Sequence, residues 1–208
     1  MEAARLTNPD KDIFLLGDRD NKWLGTAKNT KHYFFDDYQQ GSEIETFNQF
    51  YRPVQGKKHK SVKGGKDWLK FVFKRWFYVN NFLISKEIND FWHFDSDNMI
   101  LDALEFHKAK FRAYDCTEQC NGMCINGYIS RRSVVLKYVN KINDLFQDDE
   151  FLKEQQKEYQ RQVNAEICRK RIEQLKLKEQ EQKQEQDEER EKTEEKERQR
   201  KMQIKLLQ

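Results

Sequence analysis

Between residues 13 and 150 the chain alternates short apolar runs with polar breaks, and most of the runs have a readable period. Ile13-Phe14-Leu15-Leu16 is continuous and stops at Gly17-Asp18, the pattern of a parallel-sheet strand buried on both faces. His32-Tyr33-Phe34-Phe35, closed by Asp36-Asp37-Tyr38, predicts a second strand and a solvated turn. Ile44, Phe47 and Phe50 recur at helical spacing over 42–51, with Ser42 as the expected N-cap, Glu45 completing a capping box and Pro53 ending the element. Trp68, Leu69, Val72, Phe73, Trp76, Phe77, Val79, Phe82 and Leu83 predict a long helix over 66–84 with a wide buried face. Lys70, Lys74, Arg75, Asn80 and Asn81 mark its other faces. Phe91, Trp92 and Phe94 predict a strand, 101–108 a short helix, 111–115 an alternating strand, 116–129 a loop and 133–146 a helix. Residues 1–12 are polar and are expected to fray.

From about residue 151 the apolar positions thin out. Phe151, Leu152, Tyr159, Val163, Ile167, Ile172, Leu175 and Leu177 are spread along what still reads as a helix, and 178–201 holds only Glu, Lys, Gln, Arg, Asp and Thr. Oppositely charged pairs four apart, such as Glu188 with Lys192 and Glu194 with Arg198, support a solvated single helix or a weak coiled coil. This change divides the chain into an α/β domain over 1–150 and a charged helical tail over 151–208. It also explains how 36% charged residues and 13% aromatics coexist in 208 residues: the aromatics lie almost entirely before residue 160. The net charge of +3 is too small to argue for a nucleic acid or a membrane surface as partner. No apolar segment follows Met1, so neither a signal peptide nor a membrane span is expected, and the expected location is cytoplasmic.

The candidate chemistry gathers at Phe91-Trp92-His93-Phe94-Asp95-Ser96-Asp97, where a bulky strand stops at two carboxylates and Met99-Ile100-Leu101 resumes the apolar character. Carboxylates enclosed without a partner are costly. A position at a strand end, facing a cleft, with a divalent cation between them and a ligand's phosphates, removes that cost. Hard oxygen ligands of this kind suit Mn2+ or Mg2+. The alternative is a solvated turn in which Asp95 or Asp97 caps a following helix. Asp18 sits at the carboxyl end of the first strand, where open α/β sheets bind ligands, and a turn aspartate is the competing account. The basic, glycine-bearing stretch 55–66 lacks the spacing of a phosphate-binding P-loop and reads as an exposed linker.

The Asp-x-Asp after an aromatic strand resembles the metal motif of nucleotide-sugar glycosyltransferases of the GT-A type. The order of strand, Asp-x-Asp, strand, Asn126-Gly127 and helix extends that resemblance over residues 13–150. The resemblance implies a GT-A-like (Rossmann-like) mixed sheet flanked by helices. It implies a UDP- or GDP-linked sugar as donor, a glycan or other acceptor, and Mn2+ or Mg2+ held by Asp95 and Asp97. It assigns Asp18, Arg75 and Asp95 to the nucleotide, with Asp18 at the base or ribose and Arg75 pairing the diphosphate or orienting the first aspartate, and Asn126 and Gly127, in a turn, to the sugar or acceptor. Asp115 and Glu118 are the candidates for a catalytic base. A structural salt bridge is the competing role for Arg75. The stretch after residue 150 offers no counterpart to the C-terminal metal ligand and acceptor region of such enzymes.

Two other classes stand beside this one. A non-catalytic interaction module would join an α/β remnant to a charged helical arm that binds a protein partner. An iron–sulfur or zinc protein would use Cys116, Cys120 and Cys124, spaced by four, but a closed zinc site needs a fourth ligand, for which His107 is the nearby candidate. Reduced thiols in a packed loop, or one disulfide in an oxidising compartment, are the plainer readings.

Overall fold

The computed structural model describes residues 2–26, 28–53, 65–95, 98–119 and 124–206. Ser96, Asp97, Cys120 and most of the basic stretch after Pro53 lie outside the described residues. The architecture is mixed α/β with small sheets and a long C-terminal helix. Its elements are α1 (Glu2–Thr7), β1 (Ile13–Gly17), β2 (Thr30–Phe34), α2 (Ser42–Phe50), α3 (Gly65–Ser85), β3 (Phe91–His93), α4 (Leu104–Phe111), β4 (Cys116–Gln119), β5 (Cys124–Ile129), α5 (Arg132–Gln147) and α6 (Asp149–Leu206). Two short 3-10 turns, Lys22–Thr26 and Phe35–Tyr38, flank β2. Two compact units result, Met1–Lys153 and Glu154–Gln208.

The strands form two ladders. β1 and β2 run parallel, from Ile13 opposite Thr30 to Gly17 opposite Phe34. β3, β5 and β4, in that order, form an antiparallel sheet. β1 was expected as a central strand covered on both faces; among the described residues it pairs with β2 alone, and Ile13, Phe14, Leu15 and Leu16 are only half-buried. One face explains the apolar run: Phe14 and Tyr33 meet Phe82 of α3, with ring centroids 5.5 and 5.0 Å apart.

α3 is the pivot of the core. Phe77 stacks against Phe47 of α2, Phe73 meets Phe146 of α5, and Trp76 meets Tyr138 of α5 and His93 of β3. Ile44, Phe47, Phe77, Ile129, Val135 and Val139 are almost fully enclosed. Burial on this scale stabilises by roughly 1.5–3 kcal/mol per large side chain.

Several local expectations are corrected. α2 is capped by Gly41, whose carbonyl accepts from Glu45 N at 3.1 Å, and not by the Ser42 hydroxyl, which bonds Glu43 instead. Gly41 has φ +128°, a conformation that favours glycine. Asn80 and Asn81 do not mark a solvated face: Asn80 is 2% exposed, and Asn81 Nδ2 donates to the carbonyls of Tyr38 and Gln40. Residues 111–115 are not a strand but the end of α4 and a turn, and the expected loop 116–129 carries β4 and β5. The N-terminus is ordered by tertiary bonds. Arg5 donates to the carbonyls of Lys11 and Asn29, while buried Asn8 accepts from Leu104 N and so caps α4 from a distant segment. In the second unit, Glu166 and Lys170 form an ion pair four residues apart; the side chains of Glu188, Lys192, Glu194 and Arg198 lie outside what is described.

Candidate functional site

The parallel pair delivers Asp18 and Asp36 to the carboxyl ends of β1 and β2. There a cavity of about 250 Å³ opens, lined by Gly17, Asp18, Phe34, Phe35, Asp36, Phe71 and Tyr78. Phe35 lies between two rings of α3, 5.4 Å from Phe71 and 5.1 Å from Tyr78. The cavity therefore has an aromatic wall and two exposed carboxylates at its mouth. Asp36 was read from sequence as a solvated turn residue. Its adjacency to Asp18 arises from the parallel register, which one strand's sequence does not encode.

Arg75 shares a face of α3 with two of the cavity's rings and pairs with Asp95. Phe71, Arg75 and Tyr78 are spaced i, i+4, i+7 on α3 and share one helix face. Arg75 Nη1 donates to Asp95 Oδ1 at 2.9 Å, and Nη2 lies 3.5 Å from Oδ2. Asp95 stands two residues beyond β3 and keeps 40% of its side chain exposed, so the pair is reachable from solvent. Of the two roles the sequence left open for Arg75, the salt bridge is the one observed.

His93, two residues before Asp95, is held under Trp76 with ring centroids 4.6 Å apart. Burial pushes its pKa down to about 4; the Asp95 carboxylate opposes that shift and the Arg75 guanidinium adds to it. At neutral pH it is an uncharged imidazole. Nothing in the sequence singled it out, although its parity with Phe91 places it on the face of β3 that packs against the core.

β5 lies beside β3, with Gly127 opposite His93. Asn126 and Gly127 were expected in a turn approaching a ligand; they lie inside β5, and both are buried. Gly127 has φ +95°, and a Cβ there would lie 2.3 Å from Thr117 Oγ1. The Thr117 hydroxyl uses that space to donate to the Asn126 carbonyl at 2.6 Å and to accept from Tyr128 N at 2.9 Å, next to the register irregularity between Cys116 and Glu118. Asn126 Nδ2 donates to Asn98 Oδ1 at 2.8 Å.

The two candidate bases separate. Glu118 pairs with Ile125 and leaves the sheet at the end toward which β3 carries Asp95. Asp115 precedes Cys116, which is opposite Ile129, and so lies at the other end. It is bound to Arg131, whose guanidinium holds the Asp115 carboxyl below the usual carboxylate range. Asp115 is therefore a structural partner of Arg131, and the antiparallel register removes it from the end of the sheet that Asp95 occupies.

Asp97 lies outside the described residues, so the fit to a divalent ion rests on what surrounds Asp95. The Asp95 carboxylate and the amides of Asn98 and Asn126 stand at this end of β3. Such a setting suits Mn2+ or Mg2+, which bind through one or two carboxylates plus water and phosphate oxygens. Among the described residues no group of three His, Cys, Asp or Glu side chains is placed to hold a metal unaided. His107, the proposed fourth ligand of a cysteine site, is bonded to Asp102 at 2.8 Å. Cys116 is a half-buried thiol of β4 whose pKa burial pushes up.

No family model, curated protein or solved structure matches the chain. Among the described residues, no helix is long and apolar enough to cross a membrane.

Proposed function

We propose that residues 1–150 form a glycosyltransferase-like domain of the GT-A type. It binds a UDP- or GDP-linked sugar with Mn2+ or Mg2+ at Asp95 and Asp97, and passes the sugar to a glycan or other acceptor in the cytoplasm. One observation carries this reading: Arg75 ion-pairs Asp95 from the face of α3 that also lines the aromatic cavity. This supports a shared surface for Asp95 and the strand-end cavity, as a ligand with a base, a ribose and a diphosphate requires.

Phe35, Phe71 and Tyr78 offer ring faces to a nucleobase, and Asp18 and Asp36 offer acceptors to ribose hydroxyls. Arg75 is positioned to share its charge between Asp95 and a phosphate oxygen. The divalent ion, when bound, supplies Lewis acidity toward the leaving diphosphate. Glu118, exposed and at the same end of the sheet as Asp95, takes the role of base toward the acceptor hydroxyl. A second reading, a protein-interaction module, draws on exposed Ile172, Leu175 and Leu177 of α6.

Calorimetric titration of UDP and GDP, with and without manganese, tests the reading on the wild type and on Asp97→Ala. Metal-dependent binding that the substitution abolishes is the expected result. A sample that melts cooperatively yet binds neither nucleotide would sink the glycosyltransferase reading and leave the interaction module.

A further inference from the structure

The contacts of Asn126 deepen the nucleotide-sugar reading and rest on it. Asn126 is 6% exposed and lies in β5 beside Gly127, the residue opposite His93. Its Nδ2 donates to Asn98 Oδ1 at 2.8 Å, and Asn98 N in turn donates to the Asp95 carbonyl at 3.0 Å. Asn98 is thus bonded both to the Asp95 carbonyl and to the neighbouring strand. The Thr117 hydroxyl bonds the two peptide groups that flank Gly127, so the anchor for this tie is itself held in place.

We propose that Asn126, acting through Asn98, is a positioning residue for Asp95. It sets the angle at which Asp95 leaves the sheet and holds that carboxylate in place for the ion and for Arg75, without touching the donor. A neutral amide suits this task because it transmits geometry without adding charge beside a carboxylate. It also provides the N–H that the Asn98 oxygen needs, which a carboxylate lacks. Partners of this kind, bonded to a metal-binding group rather than to the metal, typically change metal affinity by roughly 10–100-fold when removed.

The Asn126→Asp substitution separates positioning from direct ligation. It keeps the shape, removes the donor and adds a negative charge. If Asn126 positions Asp95, the metal response weakens; if Asn126 meets the metal directly, a carboxylate strengthens it. The experiment titrates UDP and GDP into full-length protein over a series of manganese concentrations, for the wild type, Asn98→Ala, Asn126→Asp and the double variant. Hydrogen exchange over residues 94–101 is followed in parallel.

In the expected result each single variant needs about tenfold more manganese for the same nucleotide affinity. Binding without metal stays unchanged, and exchange over 94–101 rises. The double variant is no worse than either single one, because both remove the same bond. Tighter manganese coupling in Asn126→Asp overturns the proposal in favour of direct ligation. A lower melting temperature with unaltered manganese dependence overturns it in favour of a purely structural role. A wild type that responds to manganese, with variants that respond equally, overturns this inference alone. A wild type indifferent to manganese overturns the nucleotide reading and this inference together.

Discussion

At neutral pH a histidine enclosed against an indole, two residues from a carboxylate, must choose between burial and charge, and His93 gives up the charge. Burial lowers its pKa from 6.5 to about 4 despite the pull of Asp95 in the other direction. The unfolded chain therefore takes up a proton near pH 6.5 that the folded chain refuses until about pH 4. The contribution to stability is complete above pH 6.5 and is lost as the pH falls toward 4. The loss is about 2 kcal/mol by pH 5 and about 3 kcal/mol by pH 4. The carboxylates of Asp90, Asp102, Glu105 and Asp115, all held below their ordinary values by cationic or imidazole partners, lose their contributions at lower pH, which leaves this window to His93. Chemical denaturation at pH 7, 6 and 5 is expected to show the wild type weakening while His93→Phe weakens less; parallel curves would mean that His93 is solvated in the folded protein. At this scale the sequence was legible where a residue's role is local. The salt bridge weighed for Arg75 forms with Asp95, since strand end and helix face are both readable. Asn81, Asn8 and Arg5 were not legible, because their amides and guanidinium bond to groups of distant segments that no periodicity reveals, and Asn80 is enclosed where its polarity predicted exposure.

Elements were legible wherever one face is buried against one neighbour. The periods of α2, α3 and α5 gave helices close to their observed bounds, because each presents an apolar stripe to the others. The hairpin of β4 and β5 escaped, because Asn-Gly pairs signal turns and two of them frame its cysteines. Gly127 serves a different need: it admits the Thr117 hydroxyl where any side chain would collide and allows φ +95° within a strand. This gives a prediction at the level of the hairpin. Gly41 also has positive φ, but a Cβ there would meet nothing closer than 3.8 Å. Gly41→Ala should therefore cost only the backbone strain, about 1–2 kcal/mol, whereas Gly127→Ala adds the collision and should cost at least about 1 kcal/mol more. Equilibrium unfolding of the two variants decides it. Equal losses would mean that Thr117 yields freely, and the rigid anchor inferred for Asn126 would lose its basis.

For the whole molecule, the composition shift near residue 150 and the contact pattern make different cuts through the same helix. α6 starts at Asp149, whereas the first compact unit runs to Lys153. The difference is one turn of helix, and that turn has work within the first unit. Asp148 Oδ1 accepts from Phe151 N, Asp149 pairs with Arg52 at 2.9 Å, and Leu152 packs against the core cluster that includes Phe146. Among the described residues, the core side chains and those packed against them all fall between Phe14 and Leu152, so a fragment of residues 1–153 contains them all. Such a fragment is expected to melt in a single cooperative transition and to keep the near-ultraviolet signature of its buried aromatics. It should lose only helical signal relative to the full chain. A fragment ending at residue 147 gives up the Asp148 cap, the Arg52 pair and the Leu152 contact. It should be less stable by about 1–3 kcal/mol, chiefly from the apolar side chain and the cap, since an exposed ion pair contributes little. Side-by-side thermal melts of the two fragments test the boundary. If residues 1–153 fail to melt cooperatively, the interior seen between Phe14 and Leu152 is not sufficient for folding. If both fragments melt alike, the first turn of α6 belongs with the charged helix and not with the α/β domain.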